Sequence, residues 1–281
     1  LKDGDGDESQ ATLTIKLGNT TPTVGEEQPN PTDPNGAPVY VIAPASVDEA
    51  GLAARGDEPA GSAAAADSEK TAGVINFTSK DGVSEVKLGS LVLTAQDQSV
   101  TDEVGTLTAR YTYDVASGTG QIHYSYTLLD NTSGDATQQA FAVSVKDQDG
   151  DLATNTLVVK IVDDAPLAKN DTDTLAAGVS SESGNVLTGV GTAEGAANAD
   201  VQGADGAKVS AVVATTAAGA STTVGTDTVV QGKYGVLTIS ADGSYSYERH
   251  EGAPGGVDDV FTYTLKDGDG DESQATLTIK L

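Results

Sequence analysis

Three times along the chain, aspartates recur at every second position: Asp3, Asp5 and Asp7; Asp147, Asp149 and Asp151; Asp267, Asp269 and Asp271. Glycine is interleaved in each cluster. On an extended chain a period of two places alternate side chains on one side. Glycine lets a turn curl so that carboxylates and carbonyls converge. Carboxylates gathered at one point repel each other unless a hard cation neutralises them. Ca2+ accepts about 6–8 oxygen ligands and suits such a set, whereas Mg2+ dehydrates reluctantly and suits it less. The spacing is not that of an EF-hand, whose loop needs glycine at the sixth position and helices on both sides. Counted from Asp3 that position is Glu8, and the flanking runs are strand-like. A polar hairpin turn is the plain alternative, because Asp-Gly is a turn-forming pair.

Other acids stand where they could complete such sites: the pair Asp48-Glu49, the pair Asp163-Asp164, and Asn170 with Asp171. Asp163, Asp164 and Asp171 are the expected ligands at a joint; Asp258-Asp259 is a further acidic candidate, with solvated surface charge as the favoured reading. The expected cofactor is therefore Ca2+. No catalytic set is expected. His123 and His250 are the only histidines and cysteine is absent, so neither a Ser/His/Asp arrangement nor a thiolate is indicated. The tripeptide Arg55-Gly56-Asp57 is read as chance in a chain rich in Gly and Asp. The aromatic pairs Tyr111/Tyr113, Tyr124/Tyr126, Tyr245/Tyr247 and Phe261/Tyr263 share strand faces at i, i+2 and read as core; an exposed sugar-stacking platform is the alternative.

These residues must be held by strands. Short Thr/Val-rich runs alternate with Gly/Asp/Asn/Ser clusters, and no long stretch carries a helical apolar period, which reads as an all-β chain of sandwich domains. The Ala-rich stretch 52–70 is broken by Gly56, Pro59 and Gly61 and reads as a loop with one short turn. With 42 acidic and 15 basic residues among 281, the formal charge is -27. That excludes nucleic acid and anionic membrane surfaces as partners, since both need clustered Lys/Arg. No apolar run reaches the ~20 residues needed to span a bilayer. Self-repulsion at this charge opposes compaction until cations neutralise it.

The sequence repeats itself. Residues 1–17, LKDGDGDESQATLTIKL, recur letter for letter at 265–281, and KDQDGDLATNTLVVKI at 146–161 is a third copy. The copies are separated by about one domain length, the signature of a module array. We read 1–17 as the terminal strand of a preceding repeat and 18–37 as a Pro-rich linker. Residues 38–164 are then a first β-sandwich and 165–281 a second, joined by a short acidic linker. The absence of Met and the opening on a repeat end fit a stretch of a longer protein.

The first unit carries VDEAGL (47–52), YDVASGTGQIHYSYTL (113–128) and FAVSVKDQDGDLATNTLVVKIVDDAP (141–166). It resembles the repeat of giant RTX adhesins that Gram-negative bacteria export by type I secretion. The second carries KNDTDTL (169–175), GNVLTG (184–189), YGVLTISADGSYSYE (234–248) and DDVFTYTLKDGDGDESQATLTI (258–279). It resembles the VCBS-type, cadherin-like repeat of the same proteins. The Ala-rich stretch after Leu52 departs from the pattern as an insertion. The resemblance implies tandem immunoglobulin-like sandwiches, extracellular or on the bacterial surface, with calcium stiffening the joints and the array holding an adhesive tip away from the cell in adhesion and biofilm formation. It implies calcium association for the Asp-x-Asp-Gly-Asp loops, Asp48/Glu49 and Asp163-Asp164. The expected partners are neighbouring repeats of the same chain, with the fragment monomeric. The rival reading is a glycan- or peptide-binding module.

Overall fold

The structure is a computed structural model that describes residues 2, 4–13, 18–32, 36–217 and 219–281. Twelve strands form the first half: β1 (Thr23–Val24), β2 (Glu26–Gln28), β3 (Val39–Val41), β4 (Ala45–Asp48), β5 (Lys70–Thr78), β6 (Glu85–Leu88), β7 (Leu91–Val92), β8 (Gln98–Thr101), β9 (Gly105–Asp114), β10 (Thr119–Leu128), β11 (Gln138–Lys146) and β12 (Leu152–Val162). One sheet runs β1-β5-β10-β9-β8 and the other β4-β12-β11-β6-β7, while β2 and β3 make a separate hairpin. The second half contains β13 (Asp171–Thr174), β14 (Ser181–Asn185), β15 (Lys208–Ala214), β16 (Thr222–Thr223), β17 (Thr228–Gln231), β18 (Gly235–Ile239), β19 (Ser244–Arg249), β20 (Asp258–Lys266) and β21 (Glu272–Lys280). Its sheets run β13-β21-β20-β15-β16 and β14-β19-β18-β17.

The strands form where the sequence alternates. In β10 the residues at Gly120, Ile122, Tyr124, Tyr126 and Leu128 are buried and their neighbours are not, and β21 buries Ala275, Leu277 and Ile279 in the same way. Each pair of sheets closes on its own apolar cluster. The first gathers Ile75, Phe77, Leu107, Tyr126, Val145 and Leu157; the second Val186, Leu237, Tyr247, Phe261, Tyr263 and Ile279. The aromatic pairs of the second half are thus core, as are Tyr124 and Tyr126, while Tyr111 and Tyr113 pack partly buried against the first cluster.

Two parallel pairings orient the units. β4 lies parallel to β12, with Val47 opposite Ile161 and Asp48 opposite Val162. β13 lies parallel to β21, with Asp171 opposite Leu277. The first pairing carries Glu49 and Asp163 to the same end of the first sandwich. The loop between β20 and β21 lies at the end of the second sandwich that faces them.

Three segments need comment beside the sequence reading. The stretch expected as linker enters the first sandwich: β1 pairs with β5, Thr23 opposite Thr78, and Val24 is buried in the core. Gly25 follows at a φ of 107°, and Asn155 Nδ2 donates to Val24 O at 2.9 Å. The Ala-rich stretch is loop and turn as expected after a short 3-10 helix, Glu49–Gly51. It is also a strap across the joint, described below. Residues 4–13 are exposed and form a turn closed by a bridge and an ion pair between Lys2 and Glu8. Lys266 and Glu272 repeat that ion pair in the third copy. No helix among the described residues is long and apolar enough to cross a membrane.

Candidate metal centre at the joint

Six acids meet where the sandwiches join. Glu49 follows β4, and its N-terminal neighbour Asp48 caps the 3-10 helix by accepting from Ala50 N at 2.9 Å. Asp163 follows β12. The second unit supplies Asp205 from the turn before β15 and Asp267, Asp269 and Asp271 from the β20–β21 loop. Glu49, Asp163 and Asp205 each place one carboxylate oxygen within 4.8 Å of the others.

Their hydrogen bonding follows one pattern. Glu49 is 1 % exposed. Its Oε1 accepts from Thr132 N (2.7 Å) and Thr132 Oγ1 (2.9 Å), whereas Oε2 has no donor. Asp267 accepts from Gly270 N (2.9 Å) and Asp271 N (2.8 Å) through Oδ1, and its Oδ2 has none. Asp269 accepts from Gly134 N across the joint at 3.1 Å through Oδ2, and its Oδ1 has none. Asp163 Oδ1 and Asp205 Oδ2 are likewise buried and without donors. Buried polar atoms in folded proteins are nearly always paired, and these five carboxylate oxygens have no donor from the protein, so the group can accept a cation.

The electrostatics agree. Burial, followed by the nearby charges of Asp269 and Glu49, pushes Asp163 up to about 7. Burial, with Glu49, Asp269 and Asp267 behind it, does the same to Asp205, also to about 7. Burial raises Glu49 and Asp267. Arg55 is the basic residue that counters Glu49, and only as a minor influence. An all-oxygen set of carboxylates with one anchored and one open oxygen fits Ca2+, which tolerates irregular oxygen shells.

The first unit carries the same loop at its far end. Asp147, 1 % exposed, accepts from Gly150 N (2.9 Å) and Asp151 N (2.7 Å) through Oδ1, and its Oδ2 has no donor. Asp81, Asp147 and Asp149 bring one oxygen each within 4.8 Å. Asp147, as neighbour and hydrogen-bond partner, holds Asp149 above the usual carboxylate range. Chain from the expected linker closes over this loop: Asn19 Nδ2 donates to Asp151 Oδ2 at 3.0 Å, and Thr20 N donates to Asp81 Oδ2 at 2.6 Å.

The remaining expected ligands stand elsewhere. Asp3 lies outside the described residues. Asp5 and Asp7 are exposed and belong to neither convergent group. Asp164 is at the joint with its carboxylate fully engaged: Ser62 N (2.7 Å) and Ala204 N (3.0 Å) donate to Oδ2 and Ser62 Oγ to Oδ1. Asn170 Oδ1 accepts from Thr276 N (2.9 Å) and Thr276 Oγ1 (3.1 Å). Asp171 is buried in β13, inside the second sandwich and not in the linker. Asp259, read as surface charge, is 0 % exposed. It accepts from Thr216 Oγ1 (2.5 Å), Lys233 N (3.1 Å), Tyr234 N (2.9 Å) and Tyr247 Oη (3.0 Å). Asp205 and Asp81 were not anticipated. Both open an Asp-Gly pair, Asp205-Gly206 and Asp81-Gly82, the signal that could have found them.

The strap also spans the joint. Arg55 donates to Asp130 Oδ1 (2.8 Å) and Asn131 Oδ1 (3.2 Å) within its own unit and to Ala204 O (3.1 Å) of the next. Ala204 itself is buried in the first core cluster. Arg55 is thereby committed to structure.

A family model described as a bacterial Ig domain matches residues 159–280, which is the second sandwich. No curated protein matches the chain. Among solved structures, zebrafish RET cadherin-like domains 1 to 4 are similar at 12% identity and TM-score 0.30, over 86% of this chain and 50% of that one. The N-terminal eight Ig domains of Down syndrome cell adhesion molecule are similar at 10% identity and TM-score 0.26, over 94% and 29%. A family 107 endo-fucoidan hydrolase is similar at 15% identity and TM-score 0.25, over 75% and 31%. The chain thus spans between about a third and a half of those chains. It is an all-β protein of two sandwiches, the second of which matches the bacterial Ig domain model.

Proposed function

We propose that this chain is an extender segment of a bacterial surface adhesin, secreted and extracellular, in which calcium at the joint makes two sandwiches one stiff rod. The observation that carries the reading is the set of five donor-less carboxylate oxygens contributed by both units. An ion held by Glu49 and Asp163 on one side and Asp205, Asp267 and Asp269 on the other removes relative rotation, because bending would break its oxygen shell. Asp81, Asp147 and Asp149 form a second centre of the same kind at the other end of the first unit.

The resemblance to RTX adhesins supplies the setting: export by type I secretion, adhesion and biofilm formation. Acid-rich loops keep the chain loose where calcium is scarce, and extracellular calcium, at module affinities of roughly 10⁻⁴–10⁻³ M, drives folding. The role is mechanical, without catalysis, and the partners are neighbouring repeats.

Small-angle scattering and thermal melts in EDTA and across about 0.01–10 mM calcium test this. An envelope that becomes elongated and rigid in calcium, with a higher melting temperature, is expected. No change in either means that the acids are solvated turns, and the rival binding-module reading would then take precedence.

A further inference from the structure

The first sandwich carries a walled cavity on its outer face, at the end away from the joint. Its volume is about 740 Å3, within the roughly 300–1,000 Å3 of small-ligand sites. Its floor follows from strand alternation. Ile75, Phe77 and Ile122 fill the core, so Asn76, Gln121 and Thr112 stand on the opposite face, exposed. They form one row across three strands, with Gln121 opposite both Asn76 and Thr112. Thr78, Thr119 and Asp114 form the next row.

The wall is the β2–β3 hairpin. Gly25 turns the chain out of β1, and a side chain there would meet Val41 O at 2.7 Å, so hairpin and sheet approach closely. Asn155 of β12 ties the two together by donating to Val24 O and to Tyr40 O, both at 2.9 Å. Tyr40 lies opposite Glu27 in the hairpin and lines the cavity half-buried. The wall is therefore anchored before any ligand arrives.

The amides are oriented too. Asn76 Nδ2 donates to Glu26 Oε1 at 2.6 Å, and Asn76 Oδ1 accepts from Gln121 Nε2 at 3.0 Å. Fixed amides beside threonine hydroxyls offer donors and acceptors at short intervals. That set matches neighbouring hydroxyls of a sugar, and a tyrosine ring matches the apolar C–H face of the same molecule. Other ligand classes fit worse. β10, the middle strand of the floor, is paired on both sides, so the floor offers no free backbone edge to an extended peptide. Glu26, Glu27 and Asp114 outnumber Lys80 around the cavity, which repels anions.

We propose that this cavity binds a neutral oligosaccharide, with Tyr40 stacking on one ring and Asn76, Gln121 and Thr112 hydrogen-bonding its hydroxyls. The site lies apart from the joint acids and does not rest on the extender reading, since a spacer can carry it.

A glycan array of neutral oligosaccharides, with uronate- and sialate-bearing ones as acidic controls, tests it on the full chain in calcium. The strongest neutral ligand is then titrated against tyrosine-labelled protein by NMR. Tyr40→Ala and Gln121→Ala are each expected to weaken binding about tenfold at an unchanged melting temperature, and Tyr40→Phe to keep most of it. Glu49→Gln with Asp163→Asn is expected to bind the sugar as the parent does, which separates this site from the fate of the joint. The peptide ESQATLTIK, the sequence of β21, is the control for strand addition. Absence of any neutral ligand overturns the site. So does a preference for the acidic glycans, or a peptide that shifts the Tyr40 signal where no sugar does. Should Tyr40→Ala disturb the hairpin, Gln121→Ala decides, and parental affinity in that variant overturns the proposal.

Discussion

Glu49, Asp267 and Asp269 each commit one oxygen to fixed donors and leave the other without one, whereas Asp164 and Asp259 commit both. The first arrangement leaves an oxygen open to the proposed cation and the second pins a loop, so neutral substitution should act in opposite directions. Glu49→Gln is expected to weaken calcium binding at least tenfold while leaving the melting temperature in EDTA unchanged or raised. Asp259→Ala strands Thr216, Lys233, Tyr234 and Tyr247 donors at about 1–3 kcal/mol for each buried group left unpaired, and should destabilise by about 3 kcal/mol or more with and without calcium. Chemical denaturation in both buffers separates the two. The pH dependence follows from the same residues. Asp163 and Asp205 titrate at about 7 in the fold and near ~3.9 when unfolded. Without cation, folding favours their protonated forms. That contribution is complete below about pH 4 and is lost as pH rises to about 7. In EDTA the variant Asp163→Asn with Asp205→Asn should therefore lose less stability than the parent between these limits. Parallel melting-temperature profiles would show that the two carboxyls are not raised.

At the scale of elements, the strands were legible because their alternation survives in single letters: the buried Ile122, Tyr124, Tyr126 and Leu128 of β10 are read directly off the sequence. The three Asp loops were legible by repetition. What places them was not. The parallel pairing of β4 with β12, which delivers Glu49 beside Asp163, is a non-local contact with no local signature. Asp205 and Asp81 join their clusters through loops whose sequence says only that a turn is present. Asp164 and Asp171 look like joint ligands in the chain, yet one is saturated by Ser62 and Ala204 and the other faces Tyr263 inside the sandwich. The Ala-rich stretch carried no sign that Arg55 would reach the next unit, because a lone Arg in a loop specifies no partner. The strap is expected to hold the joint without calcium. Arg55→Ala removes the donor to Ala204 O and the pairing with Asp130, worth about 1–2 kcal/mol. Limited proteolysis at residues 163–167 should accelerate in EDTA and much less in calcium. Equal rates for variant and parent in EDTA would leave the strap without a mechanical part.

Across the whole molecule, a formal charge of -27 sits on two separate cores that share a joint. Self-repulsion favours separation of the units. Two things in the structure oppose it, the strap and the insertion of Ala204 into the first core, and the cation proposed at the joint acids would be a third. The last is set by calcium concentration, so the molecule should have a loose and a stiff state selected by its surroundings. An ion bound only by the native joint, present at 100 times its Kd, contributes about 2.7 kcal/mol, comparable to the strap. Asp163 and Asp164 are adjacent yet belong to different devices, which allows the two to be separated. Asp163→Asn removes an ion ligand and keeps the strap. Its scattering profile in calcium should match the parent's in EDTA. Asp164→Ala releases Ser62 and the Ala204 amide and keeps the ion ligands. It should be looser than the parent in EDTA and still stiffen on calcium addition. The combined Asp163→Ala, Asp164→Ala variant should bend in both conditions while each sandwich keeps its own melting transition. If the profiles of all three variants in calcium superimpose on the parent's, the joint owes its stiffness to packing alone.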